Sequence, residues 1–311
     1  MQVMCPEGYL INTSDNKQKT KNAATLSEAA VKKDILEATA LLCDAEHNLI
    51  VNFGGLRGII PREEGAIGIK EGDVKDIALI SRVGKPVCFT VTKISQDEKG
   101  VPIALLSRRD AQERCKAEFL DKLSVGDIID ARITHFETFG AFCDIGCGII
   151  ALLPIDSISV SRISHPKDRF FCGDDIKVAI KSIENGRITL TMKELLGSWE
   201  ENAALFSAGQ TVSGIVRSVE DYGIFVELTP NLAGLAELRQ GVFVGQKASV
   251  YIKSITPDKM KIKLVIVDSF DMKFISPTPP KYFYDGNHID DWEYSPIGSN
   301  KRIFTHFGVE K

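Results

Sequence analysis

The sequence has no apolar run approaching the roughly 20 residues that cross a bilayer, which excludes a helical membrane span. Its start, "MQVMCPEGYLINTSDNKQKT", has no basic region followed by an apolar core, so a secretory signal is not expected. There is no even cysteine framework either. Seven cysteines stand singly in apolar contexts, which points to reduced thiols rather than disulfides. A basic excess is also missing: the net charge is −4, against indiscriminate polyanion binding. Any nucleic-acid argument must then rest on local field.

The missing chemistry is as informative. The five histidines (His47, His135, His165, His288, His306) fall in separate segments, with no carboxylates at fixed spacing. "GGLRG" (54–58) lacks the Lys-Ser/Thr of a phosphate loop and reads as a hairpin turn. "CDIGC" (143–147) is one cysteine pair where structural zinc usually needs two, and Cys143 alternates with Phe142 as a core thiol. No enzyme, metal site or cofactor is expected.

What is there is repetition. "VGDIIDARITHFETFGAFCDIG" (125–146) lies over "AGQTVSGIVRSVEDYGIFVELT" (208–229) without a gap. "CGDDIKVAIKSI" (172–183) lies over "VGQKASVYIKSI" (244–255), and "VGKPVCFTVTKI" (83–94) fits the same template. The later copy lacks a piece corresponding to "SISVSRISHPKD", which reads as a connecting loop. Each unit alternates with period two, as half-buried strands do. About five short strands with a longer connection after the third define a Greek-key OB barrel.

The expected fold is mainly β: three tandem five-stranded OB-fold barrels joined by short α-helices, then a tail with a β-hairpin. The expected boundaries are an extension 1–33, a first barrel 34–106 without rings at the key positions, a helical linker 107–123, a barrel 124–192, a linker 193–206, a barrel 207–268 and an aromatic-rich tail 269–311. The linkers are read from Ala111, Cys115 and Phe119, and from Leu195, Trp199 and Ala203, at four-residue steps. The tail holds 9 of the 24 aromatics from Phe270 onward, breaks at "SPTPPK", turns at "PIGSN" and is expected to dock on a barrel. Charge differs between barrels: residues 34–106 hold 8 Lys/Arg against 11 Asp/Glu, and residues 207–267 hold 7 against 5.

Two barrels repeat one oddity. Phe139 and Phe142 flank Gly140, and Tyr222 and Phe225 flank Gly223. Residues three apart on a plain strand face opposite ways. A bulge or sharp strand entry at each glycine would bring each pair onto one face. Exposed paired rings need a purpose, and stacking of unpaired bases supplies one. Arg187 and Lys261 open the last strands at matching positions, and Arg132, Lys181, Arg217 and Lys253 are outward cations for a single-stranded backbone.

At these residues the chain resembles the S-one domain family of RNA-binding OB folds, and within it the repeats of bacterial small-subunit ribosomal protein one. The motifs are "FGAFC" and "YGIFV", the segments "GIIALLPI" and "AGLAEL", and the last strands "GRITLTMKE" and "MKIKLVI". The resemblance covers about residues 34–268. It implies an RNA surface of Phe139, Phe142 and Arg187 in one barrel and Tyr222, Phe225 and Lys261 in the next. The family's histidine position departs, with Pro154 and Ala236 there, while His165 matches a different family loop. The implied partners are single-stranded messenger RNA and the small ribosomal subunit, in the cytoplasm, with the acidic first repeat docking on protein. The alternative is a protein-interaction scaffold, or an accessory factor of RNA metabolism, built from the same barrels.

Overall fold

The computed structural model describes residues 4–53, 56–96, 100–271 and 279–308. Three closed five-stranded barrels succeed one another along the chain. The first comprises β1 (Leu36–Cys43), β2 (Leu49–Asn52), β3 (Arg57–Ile60), β4 (Pro86–Gln96) and β5 (Pro102–Ser107). The second comprises β6 (Ile128–Glu137), β7 (Gly140–Asp144), β8 (Ile150–Pro154), β9 (Asp175–Glu184) and β10 (Arg187–Thr191). The third comprises β11 (Thr211–Glu220), β12 (Gly223–Thr229), β13 (Leu232–Ala236), β14 (Lys247–Thr256) and β15 (Lys261–Phe270). In each, a fifth strand runs parallel to the third and closes the sheet. Alternation sets the interior: Ala131, Ile133 and Val178 are buried in the second barrel, and Val216, Val226 and Val250 in the third.

The chain divides into two compact units, residues 1–123 with 144–150, and residues 124–143 with 151–311. In the first unit, α1 (Ser14–Lys19) and α2 (Ala23–Lys32) precede the barrel, α3 (Ile77–Ile80) lies within its long connection, and α4 (Arg108–Glu118) follows it. Ala111 and Cys115 of α4 are buried as their spacing predicts.

The polar N-terminal extension is a built-in strap. Glu7 is gripped by Arg108 at 2.6 and 3.0 Å and accepts the Cys88 N–H at 3.0 Å. Glu37 accepts the N–H groups of Gly8, Leu10 and Ile11 at 2.9–3.0 Å. Asp144 accepts from the N–H groups of Glu7, Gly146 and Gly148. None of the seven cysteines is in a disulfide. They are not all scattered, however: the Cys147 thiol lies within hydrogen-bonding reach of those of Cys88 and Cys115. Their common burial gathers residues 59 and 32 positions apart, which linear spacing conceals.

In the second unit, the expected linker helix is cut short. Gly197, with φ +83°, separates a turn of 3-10 helix at Lys193–Leu196 from α5 (Trp199–Ala203). Leu195, Trp199 and Ala203 are nevertheless buried. The tail forms a hairpin of β16 (Asp291–Glu293) and β17 (Phe304–His306), with "PIGSN" in its connection. Trp292, Tyr294 and Phe307 join the hydrophobic core of the third barrel, so the tail is docked. The break at "SPTPPK" falls partly, and Gly54 and Gly55 of "GGLRG" wholly, outside the described residues. No described helix is long and apolar enough to cross a membrane.

Candidate nucleic-acid interface

Both ring pairs come together. The Phe139 and Phe142 centroids are 6.0 Å apart at 84°, and those of Tyr222 and Phe225 are 6.1 Å apart at 87°. These are edge-to-face contacts of the kind the ring quadrupole favours. Phe139 is 54% exposed and Tyr222 70%, while Phe142 and Phe225 are half-buried at their feet. Each barrel therefore presents one ring standing free beside one seated in the sheet.

Of the two expected geometries, a bulge or a sharp strand entry at the glycine, the structure has the second: β7 begins at Gly140 and β12 at Gly223. Glu220 pairs with Gly223, so Tyr222 lies in the two-residue turn between β11 and β12 and swings round with it. The bulge is on the opposite strand: Val216 pairs with Val226 and Ser218 with Phe225, leaving Arg217 as the extra residue. The glycines are needed for close approach. A Cβ on Gly140 would stand 2.6 Å from the Leu153 carbonyl, and one on Gly223 2.6 Å from that of Ala236. Those carbonyls occupy the same place in the two repeats, on the third strand, so Ala236 corresponds to Leu153 and not, as expected from the sequence, to Pro154.

A further ring was not visible as part of the site. The His135 imidazole stacks on Phe142, with centroids 4.4 Å apart and planes at 7°. The signal was available in the repeat alignment, which lays His135 over Ser218, the cross-strand partner of Phe225.

Pairing also ranks the cations. Phe225 pairs with Leu235, and Leu235 with Lys263, so an outward row runs Ser218, Phe225, Leu235, Lys263 across four strands. The exposed Lys263 is level with the rings, two strand spacings or about 10 Å away. Lys261 points the same way two residues earlier, and Arg187 opens β10, both exposed. Lys253 is exposed at a register shift in β14.

Three expected outward cations are spent within the fold. Arg132 holds Asp175 at 2.7 and 3.0 Å across β6 and β9. Lys181 donates to the Ser157 hydroxyl at 2.9 Å. Arg217 holds Glu227 at 2.9 and 3.1 Å and lies 3.5 Å from Asp168. Alternation along a strand reports facing, but not the partner that the neighbouring strand or loop brings.

Glu227 is the hub of that last cluster. Arg169, from the long connection of the second barrel, grips it at 2.7 and 2.6 Å and donates to Ser159 at 3.1 Å. Burial pushes the Glu227 carboxyl up, but the Arg169 and Arg217 guanidinia outweigh it and hold the group below the ordinary glutamate range. His165 in the same connection accepts the Lys167 N–H on Nδ1 at 3.1 Å and meets the Phe136 ring edge-on at 6.2 Å. Among the described residues, no group of three or more His, Cys, Asp or Glu is placed to hold a metal ion.

Barrels carrying paired rings and outward cations are those of a nucleic-acid-binding OB protein. Residues 122–193, the second barrel, match the S1 RNA binding domain. The chain is 31% identical over 257 residues to small ribosomal subunit protein bS1 of Leuconostoc lactis, spanning 77% of this chain and 56% of that protein. It is 29% identical to bS1 of Streptococcus pneumoniae (70% and 56%) and 32% identical to the bS1 homolog of Bacillus subtilis (62% and 49%). The chain carries an S1 domain in its second barrel and is similar over most of its own length to bacterial bS1. It spans about half the length of the curated relatives it matches.

Proposed function

We propose that the second and third barrels bind single-stranded RNA, messenger RNA included, and that the chain acts in translation at the small ribosomal subunit, in the cytoplasm. The observation that carries this reading is the repeated exposed pair, Phe139–Phe142 and Tyr222–Phe225. Water-exposed rings held edge to face on two barrels offer π-faces to any base, at roughly 1–3 kcal/mol per stacked base and with little sequence preference. Phe139, Phe142, Tyr222 and Phe225 take the bases. Arg187, Lys261, Lys263 and Lys253 take phosphates. Joining two weak sites raises affinity through effective concentration. The first barrel has "DAEHNLIVN" where the rings would stand, and its acidic balance fits a protein partner.

Duplex RNA hides its base faces, so single strands should bind more tightly and with strong salt dependence. A filter-binding titration of an unstructured oligonucleotide against a duplex of equal length tests this. Preference for the duplex would refute it.

A further inference from the structure

The two ring pairs belong to one compact unit, and the connection between β8 and β9 runs from one to the other. At one side, the Ile155 N–H that opens the connection bonds the Phe139 carbonyl at 2.9 Å, and further along His165 meets Phe136, which lies on the face of β6 opposite His135. At the other, Asp168 approaches Arg217, the bulged residue beside Ser218, which pairs with Phe225. Glu227 lies two residues from Phe225 on β12, hence on the same outward face. Arg169 therefore fastens the second barrel's connection onto the face of the third barrel that carries its rings.

The fastening is electrically specific. Both Glu227 oxygens are taken by two guanidinia, so the carboxylate beside Phe225 is masked from an approaching phosphate. The Ser161 N–H bonds the Pro230 carbonyl and the Val160 N–H bonds Asn231, anchoring the far end. Between these anchors, Lys167 is exposed and His165 half-exposed. With His165 Nδ1 accepting the Lys167 N–H, the neutral ring carries its proton on Nε2, a second donor.

We infer that this connection, through Lys167 and His165, forms a phosphate bridge between the two ring pairs, so that the second and third barrels share one continuous single-strand track. The third barrel's surface is then completed by its predecessor. This inference rests on the proposed RNA reading. The bridge engages only a strand long enough to pass from one ring pair to the other.

The test is Lys167→Ala in the full chain, an exposed change that leaves the backbone cap at His165 in place. Oligouridylates of about 4 and about 16 nucleotides, the limits of site size for one OB barrel, are titrated across a salt series. For the longer oligomer, the log–log salt slope should become shallower by about 0.7, one phosphate contact on a single strand. The shorter oligomer should bind as to the parent. Equal slopes for the parent and Lys167→Ala with the longer oligomer overturn the bridge. A Phe142→Ala, Phe225→Ala variant run alongside separates the two failures. If it weakens binding while Lys167→Ala changes nothing, only the bridge falls. If it also binds as the parent, the RNA reading falls and the bridge with it.

Discussion

Arg169 grips both carboxylate oxygens of Glu227, at 2.7 and 2.6 Å, and so ties the long connection of one barrel to the second strand of the next. Arg217 completes the cluster from the bulge opposite. The folded Glu227 pKa lies below its unfolded value. Its contribution to stability is present above about pH 4.3 and lost as pH falls through the lower folded value. Glu227→Gln should destabilise the chain by about 3 kcal/mol at pH 7, since it leaves a buried guanidinium uncompensated. The gap from the parent should be smaller at about pH 3 than at pH 7, because the contribution begins to be lost below about pH 4.3. Urea unfolding at the two pH values measures it, and an unchanged gap would contradict the account.

The strap in the first unit should respond in the opposite sense. Burial, then the Glu7 charge, pushes the Asp144 carboxyl up to about 7. Burial likewise pushes Glu37 to about 7, against the backbone N–H groups that favour its charged form. A raised carboxyl stabilises fully below about pH 4 and loses that contribution as pH rises through 7. Amide exchange in residues 7–13, corrected for intrinsic rates, should show less protection at pH 8 than at pH 6. Asp144→Asn should flatten the difference. Greater protection at the higher pH would rule this out.

His135 extends the ring pair of the second barrel by stacking on Phe142. In a Phe225→Ala background, which weakens the third barrel's share of binding, His135→Ala should cost about 1 kcal/mol of single-strand affinity, the lower end of a stacking contribution. Anisotropy titration reads the change. A gain in affinity would mean that the imidazole merely covers Phe142.

Much of this was legible because period two is stringent. Alternation around Ala131, Ile133 and Val178 located the barrel interior, and the three-copy repeat located the barrels. The ring pairs were found from their glycines, and the geometry is the sharp strand entry rather than the bulge, with Gly140 and Gly223 accommodating the Leu153 and Ala236 carbonyls. What stayed hidden depends on contacts distant in sequence. Glu7 finds Arg108 across 101 residues, and Glu227 finds Arg169 across 58. No local pattern reports such partners, so Arg217 reads as a solvated cation until the neighbouring connection is in place. Lys263 cannot be told from Lys261 by sequence for a related reason: strand register decides which of two outward lysines is level with the rings.

The tail should contribute to stability rather than hang free. Trp292 is buried against Tyr294, whose hydroxyl donates to the Asn231 carbonyl at 2.5 Å. Trp292→Ala should cost about 3–5 kcal/mol, the usual range for emptying a buried tryptophan site. A urea midpoint equal to that of the parent would show that the docking carries no energy.

The most direct test of base stacking is the affinity of Phe142→Ala, Phe225→Ala for an unstructured oligonucleotide, with folding checked by far-ultraviolet circular dichroism. Both rings are half-buried, so each change removes the seated member of a pair while its exposed neighbour, Phe139 or Tyr222, remains. Binding should weaken by about 1–3 kcal/mol for each base that loses its ring. A folded double variant with the parent's affinity would contradict the account.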